Sequence, residues 1–349
     1  MMSRRHFLKM LFSVFILVFG GFWSFLRRLF GMTEEPEPDE PDQVVAAGER
    51  TEQERTGQLL FSMFLLSDLH ISLYDTTTSD KLKATLDDIT QLNPNADAVV
   101  MGGDLTDYGR EGEYKLLWSL LDSYDLPKLH ANMGNHDYYD IWINDKGGFA
   151  TDTMPNGKTD AQSRERFQQY MNYDKPYADE WINGIHLIML SQEAYLQERE
   201  EVGEGAWYSD EQLNWLQNKM AEHTDGEPAL IMIHQPLPAV GSDGGTHRLI
   251  RANEFREILK PYRNVFVFSG HTHRDFYTDN HYATQENIHW FSNSAVGRLR
   301  PSAPSTDSHA QGMYIQVYEK EIHVRGREFT TRQWIDVAEW RVPMESASK

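Results

Sequence analysis

The protein has 349 residues, of which 40% are hydrophobic and 12% aromatic, so the chain can bury a substantial core. Its formal net charge of -20 repels nucleic-acid backbones, and no basic patch follows residue 32, so we expect no nucleic-acid binding. The chain contains no cysteine, which excludes disulfides, a cysteine nucleophile and thiolate metal sites. Any bound metal must therefore be held by nitrogen and oxygen ligands.

A basic head followed by an apolar stretch occupies residues 1–32. Arg4 and Arg5 precede an uncharged apolar run from Met10 to Leu26, an order that suits membrane insertion with the arginines left in the cytoplasm. The segment resembles a twin-arginine export signal, which implies the twin-arginine translocation machinery as a partner. An ordinary Sec-type anchor is the alternative. No clear cleavage site follows, so we expect an uncleaved membrane anchor, with export after cleavage as the other possibility.

Residues 33–57 are rich in proline and acidic residues, a composition typical of an extended linker. No further linker is visible after residue 57, so residues 58–349 are predicted to form one catalytic domain. With residues 1–32 as the anchor, this domain is expected at the cell membrane on its extracytoplasmic side.

Short apolar runs alternate with helical patterns after residue 58, which is typical of an α/β fold. The predicted strands are Phe61–Ser67, Ala96–Met101, Lys128–Met133, Ile185–Leu190, Ala229–Ile233 and Val265–Phe268. Leucine stripes around Leu86 and Leu117 predict two helices, and a capping box from Ser209 to Gln212 predicts the start of another.

The C-terminal part has a different pattern. Residues 313–318 and 321–325 alternate like the two strands of a hairpin, which suggests a second sheet. Loops at residues 141–180 and 237–248 are expected to cover one face of the domain. In the second of these loops, His247 either contacts substrate as part of a lid or belongs to an ordinary surface loop.

Polar side chains suited to metal binding follow five of the predicted strands. They are Asp68 and His70, then Asp104, then Asn135 and His136, then His234, and last His271 and His273. The carboxyl ends of neighbouring strands meet in one crevice, so these residues are expected to converge. Imidazole, carboxylate and amide groups suit Mn, Fe, Zn or Co. Asp104 is the natural bridge between two ions, which need a shared anionic ligand.

The same motifs identify a family resemblance. Asp68-x-His70, Gly103-Asp104, Gly134-Asn135-His136-Asp137, His234 and Gly270-His271-x-His273 occur in the order found in calcineurin-like metallophosphoesterases. The chain resembles that family over about Phe61 to His273. The resemblance implies an α/β fold, a two-sheet β-sandwich flanked by helices, with two divalent metal ions as cofactors.

The resemblance also implies a role for each residue. Asp68, His70 and His273 would hold one ion, Asn135, His234 and His271 the other, and Asp104 would bridge them. A hydroxide between the ions would attack phosphorus, and His136 would act as general acid on the leaving group. Asp107 would orient His136, although a simple loop-capping role remains the alternative.

Departures from the family pattern reduce the number of substrate classes that we expect. Tyr108 stands where the protein Ser/Thr phosphatase branch has a phosphate-gripping arginine, which disfavours phosphoprotein substrates. Asp107 stands where purple acid phosphatases have a tyrosine ligand, so an iron-tyrosinate centre is not expected. The cyclic-nucleotide and phosphodiester branch is nearest, although Gln235 replaces a second histidine often found there.

These features predict a dinuclear-metal phosphoester hydrolase, a phosphodiesterase acting outside the cytoplasm on an ester from lipid, wall polymer or nutrient. The alternatives are a phosphomonoesterase of the same fold and a non-catalytic, surface-displayed metal-binding module. His130, His186, His289 and His323 lie in strand-like runs and are expected to be packed or surface groups.

Overall fold

A computed structural model describes residues 56–154, 156–278, 281–300 and 308–345. The predicted anchor at 1–32 and nearly all of the predicted linker at 33–57 lie outside the described residues. Among the residues that are described, no helix has both the length and the apolar character needed to cross a membrane.

The first sheet is mixed and has six strands. Their order is β12 (Gln333–Pro343), β11 (Glu321–Glu328), β10 (Gln311–Tyr318), β1 (Leu59–Leu66), β2 (Ala98–Gly102) and β3 (Lys128–Asn132). Strands β1, β2 and β3 are parallel, whereas β10 pairs antiparallel with β1 and continues into an antiparallel meander. The parallel strands therefore deliver their carboxyl ends to one edge of the sheet.

The second sheet is also mixed and has six strands. Their order is β4 (Ala178–Ile182), β5 (Ile185–Met189), β6 (Ala229–Met232), β7 (Val265–Ser269), β9 (Ile288–Ser292) and β8 (Tyr282–Gln285). Strands β5, β6, β7 and β9 are parallel, and the outer strands β4 and β8 are antiparallel to their neighbours. This order confirms the predicted strands in residues 185–268.

The two sheets share a buried apolar layer. Met63 and Ile315 of the first sheet belong to the same core cluster as Leu187 and Phe266 of the second. Alternate residues of the strands, such as Phe64, point to a separate cluster on the other side. Each fully buried side chain of this size contributes about 1.5–3 kcal/mol. The predicted two-sheet sandwich is thus confirmed.

In the part of the chain that the structure describes, five α-helices cover the outer faces of the sandwich. They are α1 (Thr76–Leu92), α2 (Glu111–Leu121), α3 (Asp160–Met171), α4 (Asp210–Met220) and α5 (Ala252–Leu259). Leu86 of α1 and Leu117 of α2 pack against the first sheet, and Leu216 of α4 and Phe255 of α5 against the second. The leucine stripes predicted from the sequence are therefore core, and the helices leave the sheet edge with the strand ends open.

Two expectations about the fold were wrong. The C-terminal hairpin extends the first sheet rather than forming a second one, because β10 pairs along the free edge of β1. Residues 141–180 are not only loop, since they contain α3 and β4. Helix α3 was missed because Phe167 is its one fully buried apolar residue, although Thr159 and Gln162 form a capping box before it.

The helix start at Ser209 is confirmed, but only one of the two hydrogen bonds of the predicted capping box is present. The Ser209 hydroxyl accepts a bond from the main-chain N–H of Gln212 at 3.0 Å. The Gln212 side chain instead bonds both main-chain groups of Ser191, at 3.0 and 2.9 Å. Gln212 is buried, so its amide is used to link α4 to the end of β5 rather than to cap the helix.

Glu113 in the first turn of α2 makes stability depend on pH. Its fully buried carboxylate accepts main-chain bonds from Tyr108 at 3.0 Å and Arg110 at 3.2 Å. Burial raises the pKa of Glu113 from 4.5 to about 7. Because the folded state holds this proton more tightly than the unfolded state, Glu113 lowers stability progressively as pH rises from about 4.5 to about 7.

We expect Glu113→Gln to be about 2 kcal/mol more stable than wild type at pH 8, with most of that gain absent at pH 5. The amide keeps an acceptor for the helix N-terminus but has no charge to bury. Urea unfolding at the two pH values measures the difference. A gain of equal size at both would show that ionisation of Glu113 is not the cause.

Candidate metal centre

The carboxyl ends of five strands bring the predicted residues to one crevice. Asp68 and His70 follow β1, Asp104 follows β2, Asn135 and His136 follow β3, His234 follows β6, and His271 and His273 follow β7. Both sheets contribute, so the crevice forms where the parallel strands of the sandwich end side by side. The structure brings every predicted site residue together.

Several of these side chains are carried by residues with a left-handed backbone conformation. Five of them have positive φ values between 47° and 68°, namely Asp68, His70, Asp104, His271 and His273. A left-handed backbone at residues other than glycine costs on the order of 1–3 kcal/mol each and persists where surrounding structure enforces it. Such a concentration at the ends of three strands is typical of a functional site.

Glycines next to the ligands allow close approach. A Cβ added at Gly134 would collide with the Asp104 carboxylate and the His234 ring. A Cβ added at Gly270 would collide with the side chains of Ser67 and Asp68. Both glycines were part of the sequence motifs, and the space that they leave is used by the ligands themselves.

The first cluster contains Asp68, His70, Asp104 and His273, each with one potential ligand atom within 4.8 Å of the others. Nε2 of His273 lies 3.0 Å from Oδ1 of Asp68 and 3.1 Å from Nε2 of His70. Two ligand atoms bound at right angles to one ion, each at about 2.1 Å, are about 3.0 Å apart. These spacings therefore fit one shared divalent ion.

The second cluster contains Asp104, His234 and His271, with Asn135 beside it. Nε2 of His234 lies 3.1 Å from Oδ2 of Asp104, and Nδ1 of His271 lies 3.0 Å from Oδ1 of Asn135. Asp104 belongs to both clusters, with Oδ2 also 3.6 Å from Nε2 of His70. The shared carboxylate lies where a bridge between two ions is needed.

Main-chain carbonyls set the ring orientation of two histidines. Nδ1 of His234 lies 2.9 Å from the carbonyl oxygen of Gly102, and Nδ1 of His273 contacts that of Arg298. A carbonyl only accepts, so Nδ1 carries the hydrogen and Nε2 offers its lone pair to the cluster. This arrangement is usual for metal-binding histidines.

Two buried polar atoms in the crevice have only each other as a partner, which supports a metal there. Oδ2 of Asp104 and Nε2 of His234 lie 3.1 Å apart, and among the described residues neither forms a hydrogen bond with another group. Leaving such groups unsatisfied costs about 1–3 kcal/mol each, and more for charged groups. A cation between them would satisfy both, so the residues present fit divalent metal.

The protonation states also suit metal ligands. Burial would raise the pKa of Asp104, but His234 and His136 hold it well below its usual range. Burial lowers the pKa of His271 to about 3, so its ring is neutral. Burial opposes protonation of His234 too, but the Asp104 and Asp68 carboxylates raise its pKa to about 9. Ion binding must therefore displace a proton from His234.

His136 lies beside both clusters with one nitrogen available. Its Nδ1 lies 3.0 Å from the carbonyl oxygen of Asp107, and its main-chain N–H donates to Oδ1 of Asp104 at 2.9 Å. Nε2 is therefore the nitrogen free to give a proton to a leaving group. His70, Asp107 and His136 are also close enough to share an ion, so the geometry alone permits a ligand role for His136 as well.

Asp107 contacts His136 differently from the expectation. Its carboxylate lies 3.8 Å from Nδ1 of His136, too far for a hydrogen bond, and its main-chain carbonyl makes the contact. The carboxylate lies closer to Nδ1 of His70, at 3.4 Å, and accepts a 2.6 Å bond from Arg298. Burial raises the pKa of Asp107, while Arg298 and His136 oppose that rise.

Sequence reasoning missed Arg298 and Glu204. Arg298 follows β9 outside any motif, and its side chain is 39% exposed at the edge of the crevice. Glu204 lies just after an acidic run that suggests only solvated charge. Its carboxylate accepts bonds from Asn135, Tyr139 and Tyr195, all at 2.7 Å. The bond from the Asn135 amide nitrogen leaves the amide oxygen directed at His271.

Gln235 supports the same region. Its amide nitrogen donates to Gln192 at 2.7 Å and to the carbonyl oxygen of Glu204 at 3.2 Å. His247 also reaches the site, with Nδ1 3.2 Å from Nε2 of His271, and whether it contacts substrate stays a prediction. The sequence alone did not determine a role for either of these two residues.

We expect Glu204→Ala to weaken metal binding at the second cluster by about 10- to 100-fold, the usual effect of removing a group that orients a ligand. Isothermal titration with Mn²⁺ would show one of two binding steps weakened. Glu201→Ala is the matched control, because that exposed carboxylate pairs with Arg199. Equal weakening of both steps would contradict a role specific to Asn135.

Comparison with known proteins agrees with the geometry. The profile of the family described as calcineurin-like phosphoesterase matches residues 61–275, more than half of the chain. The chain belongs to this family. The family is typically dependent on a dinuclear metal centre, and the two ligand clusters of this chain fit such a centre.

Relatives of this calcineurin-like phosphoesterase are about a quarter identical to it over the matched regions. A probable cyclic nucleotide phosphodiesterase of Rhodococcus erythropolis is 25% identical over 217 residues, 60% of this chain and 63% of the relative. A probable glycerophosphodiester phosphodiesterase of Arcobacter nitrofigilis is 24% identical, covering 59% of this chain and 64% of the relative. The matches thus span less than two thirds of these two proteins.

A third relative and a solved structure complete the comparison. The 3',5'-cyclic adenosine monophosphate phosphodiesterase of Escherichia coli K12 is 23% identical, covering 62% of this chain and 68% of the relative. A purple acid phosphatase from yellow lupin superposes with a TM-score of 0.53 at 12% identity. It covers 81% of this phosphoesterase and 53% of the plant chain, a likeness that concerns the fold.

Proposed function

We propose that the protein is a phosphodiesterase that uses two divalent ions to hydrolyse its substrate outside the cytoplasm. The observation that carries the proposal is the meeting of two ligand clusters at one carboxylate. Asp104 is buried, ionised and shared by both clusters, and its Oδ2 faces Nε2 of His234 at 3.1 Å and Nε2 of His70 at 3.6 Å. A buried carboxylate in that state is suited to join two cations.

The metal assignment follows the two clusters. Asp68, His70 and His273 would hold one ion, Asn135, His234 and His271 the other, with Asp104 between them. Mn, Fe, Zn or Co all suit these nitrogen and oxygen donors. When bound, two such ions lower the pKa of water from 15.7 towards ~7 and neutralise charge on the phosphate.

Side chains beside the two clusters would supply the proton for the leaving group. Nε2 of His136 gives a proton to the leaving oxygen, while the carbonyl oxygen of Asp107 holds the ring by its Nδ1–H. The Asp107 carboxylate, paired with Arg298, lies between the rings of His70 and His136 and stabilises positive charge on either one. Burial of Asp68 and Asp104 excludes water from their oxygens.

Two observations support a diester substrate. The relatives are described as phosphodiesterases for cyclic nucleotides or glycerophosphodiesters. Tyr108 supplies a phenol where a bidentate arginine would grip a phosphomonoester dianion, and a diester carries one negative charge fewer. An ester from lipid, wall polymer or nutrient remains the proposed natural substrate.

The place of action rests on residues 1–32. Their twin-arginine-like pattern supports export by the twin-arginine machinery and retention at the membrane, with the catalytic domain on the extracytoplasmic side. Protease treatment of intact spheroplasts should degrade the domain. Protection of the domain in intact spheroplasts, with degradation only after lysis, would contradict this localisation.

The reaction is tested with the full chain in detergent. We expect hydrolysis of bis-p-nitrophenyl phosphate to depend on added Mn²⁺, to stop with EDTA, and to exceed hydrolysis of p-nitrophenyl phosphate in kcat/KM. A higher kcat/KM for the monoester would make the protein a phosphomonoesterase. No turnover by a folded protein that binds two ions would make it a non-catalytic metal-binding module.

A further inference from the structure

A row of aromatic rings leads away from His136. Tyr139 stacks on His136 with ring centroids 4.0 Å apart, and Phe149 lies 6.2 Å from Tyr139. Tyr108 follows at 5.9 Å from Phe149, and Tyr74 at 6.4 Å from Tyr108. The row thus begins at the proposed proton donor and continues over successive contacts within the usual range for aromatic pairs.

The outer part of this row is open to solvent. Phe149 is 50% exposed and Tyr74 is 61% exposed, so their ring surfaces are not consumed by the core. Single exposed aromatic residues are common on protein surfaces. A continuous row that starts at a reacting group is a different feature, because it offers adjoining apolar surface to anything attached to the leaving oxygen.

The exposure of Phe149 is built into the loop that carries it. Oδ1 of Asn144 accepts main-chain bonds from Lys146 and Gly148, both at 3.0 Å. The Tyr74 hydroxyl donates to the carbonyl oxygen of Gly147 at 2.7 Å. These bonds tie the loop to itself and to the row, so the ring is held outward by a defined turn.

We propose that this aromatic row binds the leaving group of the substrate and selects esters whose leaving group is a planar aromatic ring. The inference rests on the proposed function, since it takes His136 as the donor to the leaving oxygen. A group on that oxygen that extends along the row passes Tyr139 and reaches the exposed ring of Phe149. Ring faces stack well on planar rings and offer few partners to the hydroxyls of a polyol.

Tyr108 gives the row its continuity. It occupies the position at which the phosphatase branch has an arginine, and here it joins Phe149 to Tyr74. Arg110 lies 5.6 Å from the centroid of the Tyr74 ring and closes the row with a cation against its last member. The substitution that removes a phosphate-binding group thus adds stacking surface.

The test compares two diesters with the full chain, methyl 2-naphthylmethyl phosphate and methyl cyclohexylmethyl phosphate. The release of the ring alcohol, rather than of methanol, is followed for both diesters. Both rings then leave as primary alkoxides, so the substrates differ chiefly in the planarity of the ring. We expect wild type to prefer the naphthyl ester by about tenfold in kcat/KM, the scale of stacking one ring. Phe149→Ala and Phe149→Leu should both lose most of that preference, mainly through KM.

Val337→Ala is the control, because Val337 is a 66% exposed apolar residue of β12 that lies outside the row. It should keep the wild-type preference. No preference in wild type, or full preference in Phe149→Leu, would overturn the aromatic site while leaving the phosphodiesterase intact. If neither these two diesters nor bis-p-nitrophenyl phosphate is hydrolysed, the proposed function fails. The fluorescence change on binding of 2-naphthylmethyl phosphate then tests the aromatic site alone. Loss of this binding signal in Phe149→Ala supports the site, and retention of the signal contradicts it.

Discussion

Asp104→Asn is expected to lower kcat/KM for bis-p-nitrophenyl phosphate by at least about 100- to 1,000-fold, the scale of losing a group that organises charge at a reacting centre. Asparagine keeps the shape of the side chain but removes the charge that joins His70 to His234. Bound metal should fall from two ions per chain to one or none. Elemental analysis and steady-state kinetics on the same preparation measure both effects.

Asp179→Asn is the matched control for this change. Asp179 also bonds a buried histidine, with Oδ2 2.9 Å from Nε2 of His186, but it lies on β4 outside the crevice. The control should keep its turnover. Asp104→Asn with two ions and wild-type turnover would show that Asp104 does not bridge a metal pair.

His136→Ala is expected to lower kcat for a dialkyl phosphate by about 100- to 10,000-fold, the usual contribution of general acid catalysis. Turnover of bis(2,4-dinitrophenyl) phosphate should fall far less, because dinitrophenolate leaves without receiving a proton. Metal content should stay at two ions per chain. Parallel kinetics with the two leaving groups measure the difference directly.

His289→Ala controls for loss of an imidazole elsewhere. His289 stacks on Phe266 and contacts the Tyr282 hydroxyl, away from the crevice. It should not distinguish the two leaving groups. An equal fall for both substrates in His136→Ala would contradict the general-acid role, and a loss of bound metal would make His136 a ligand, which its distance to His70 and Asp107 also permits.

The strands of the five motifs and the ligand clusters could be predicted because their signals are local, whereas the two-sheet sandwich was implied by the family resemblance. Each motif follows its own strand directly, and the rule that parallel strands end at one crevice supplies the convergence. Sheet membership of the C-terminal hairpin could not be predicted in this way. It depends on the antiparallel pairing of β10 with β1, and these two strands are far apart in sequence.

The residues around the ligands were harder to predict for a related reason. Glu204 and Arg298 come from segments without a motif, and their roles arise only through contacts with Asn135 and Asp107. The strained backbone at Asp68 and His271 is likewise invisible in the sequence, since neither residue type favours a left-handed conformation strongly. The sequence thus predicts the candidate metal ligands, whereas the residues that orient those ligands become visible only in the folded structure.

The most direct test of the account is a metal titration of the full chain after chelation, with bound ions and bis-p-nitrophenyl phosphate turnover followed together. We expect turnover to appear only as the second equivalent of Mn²⁺ binds, and Asp104→Asn never to bind that second equivalent. Full turnover with one ion per chain, or turnover that survives removal of all metal, would contradict a dinuclear centre joined by Asp104.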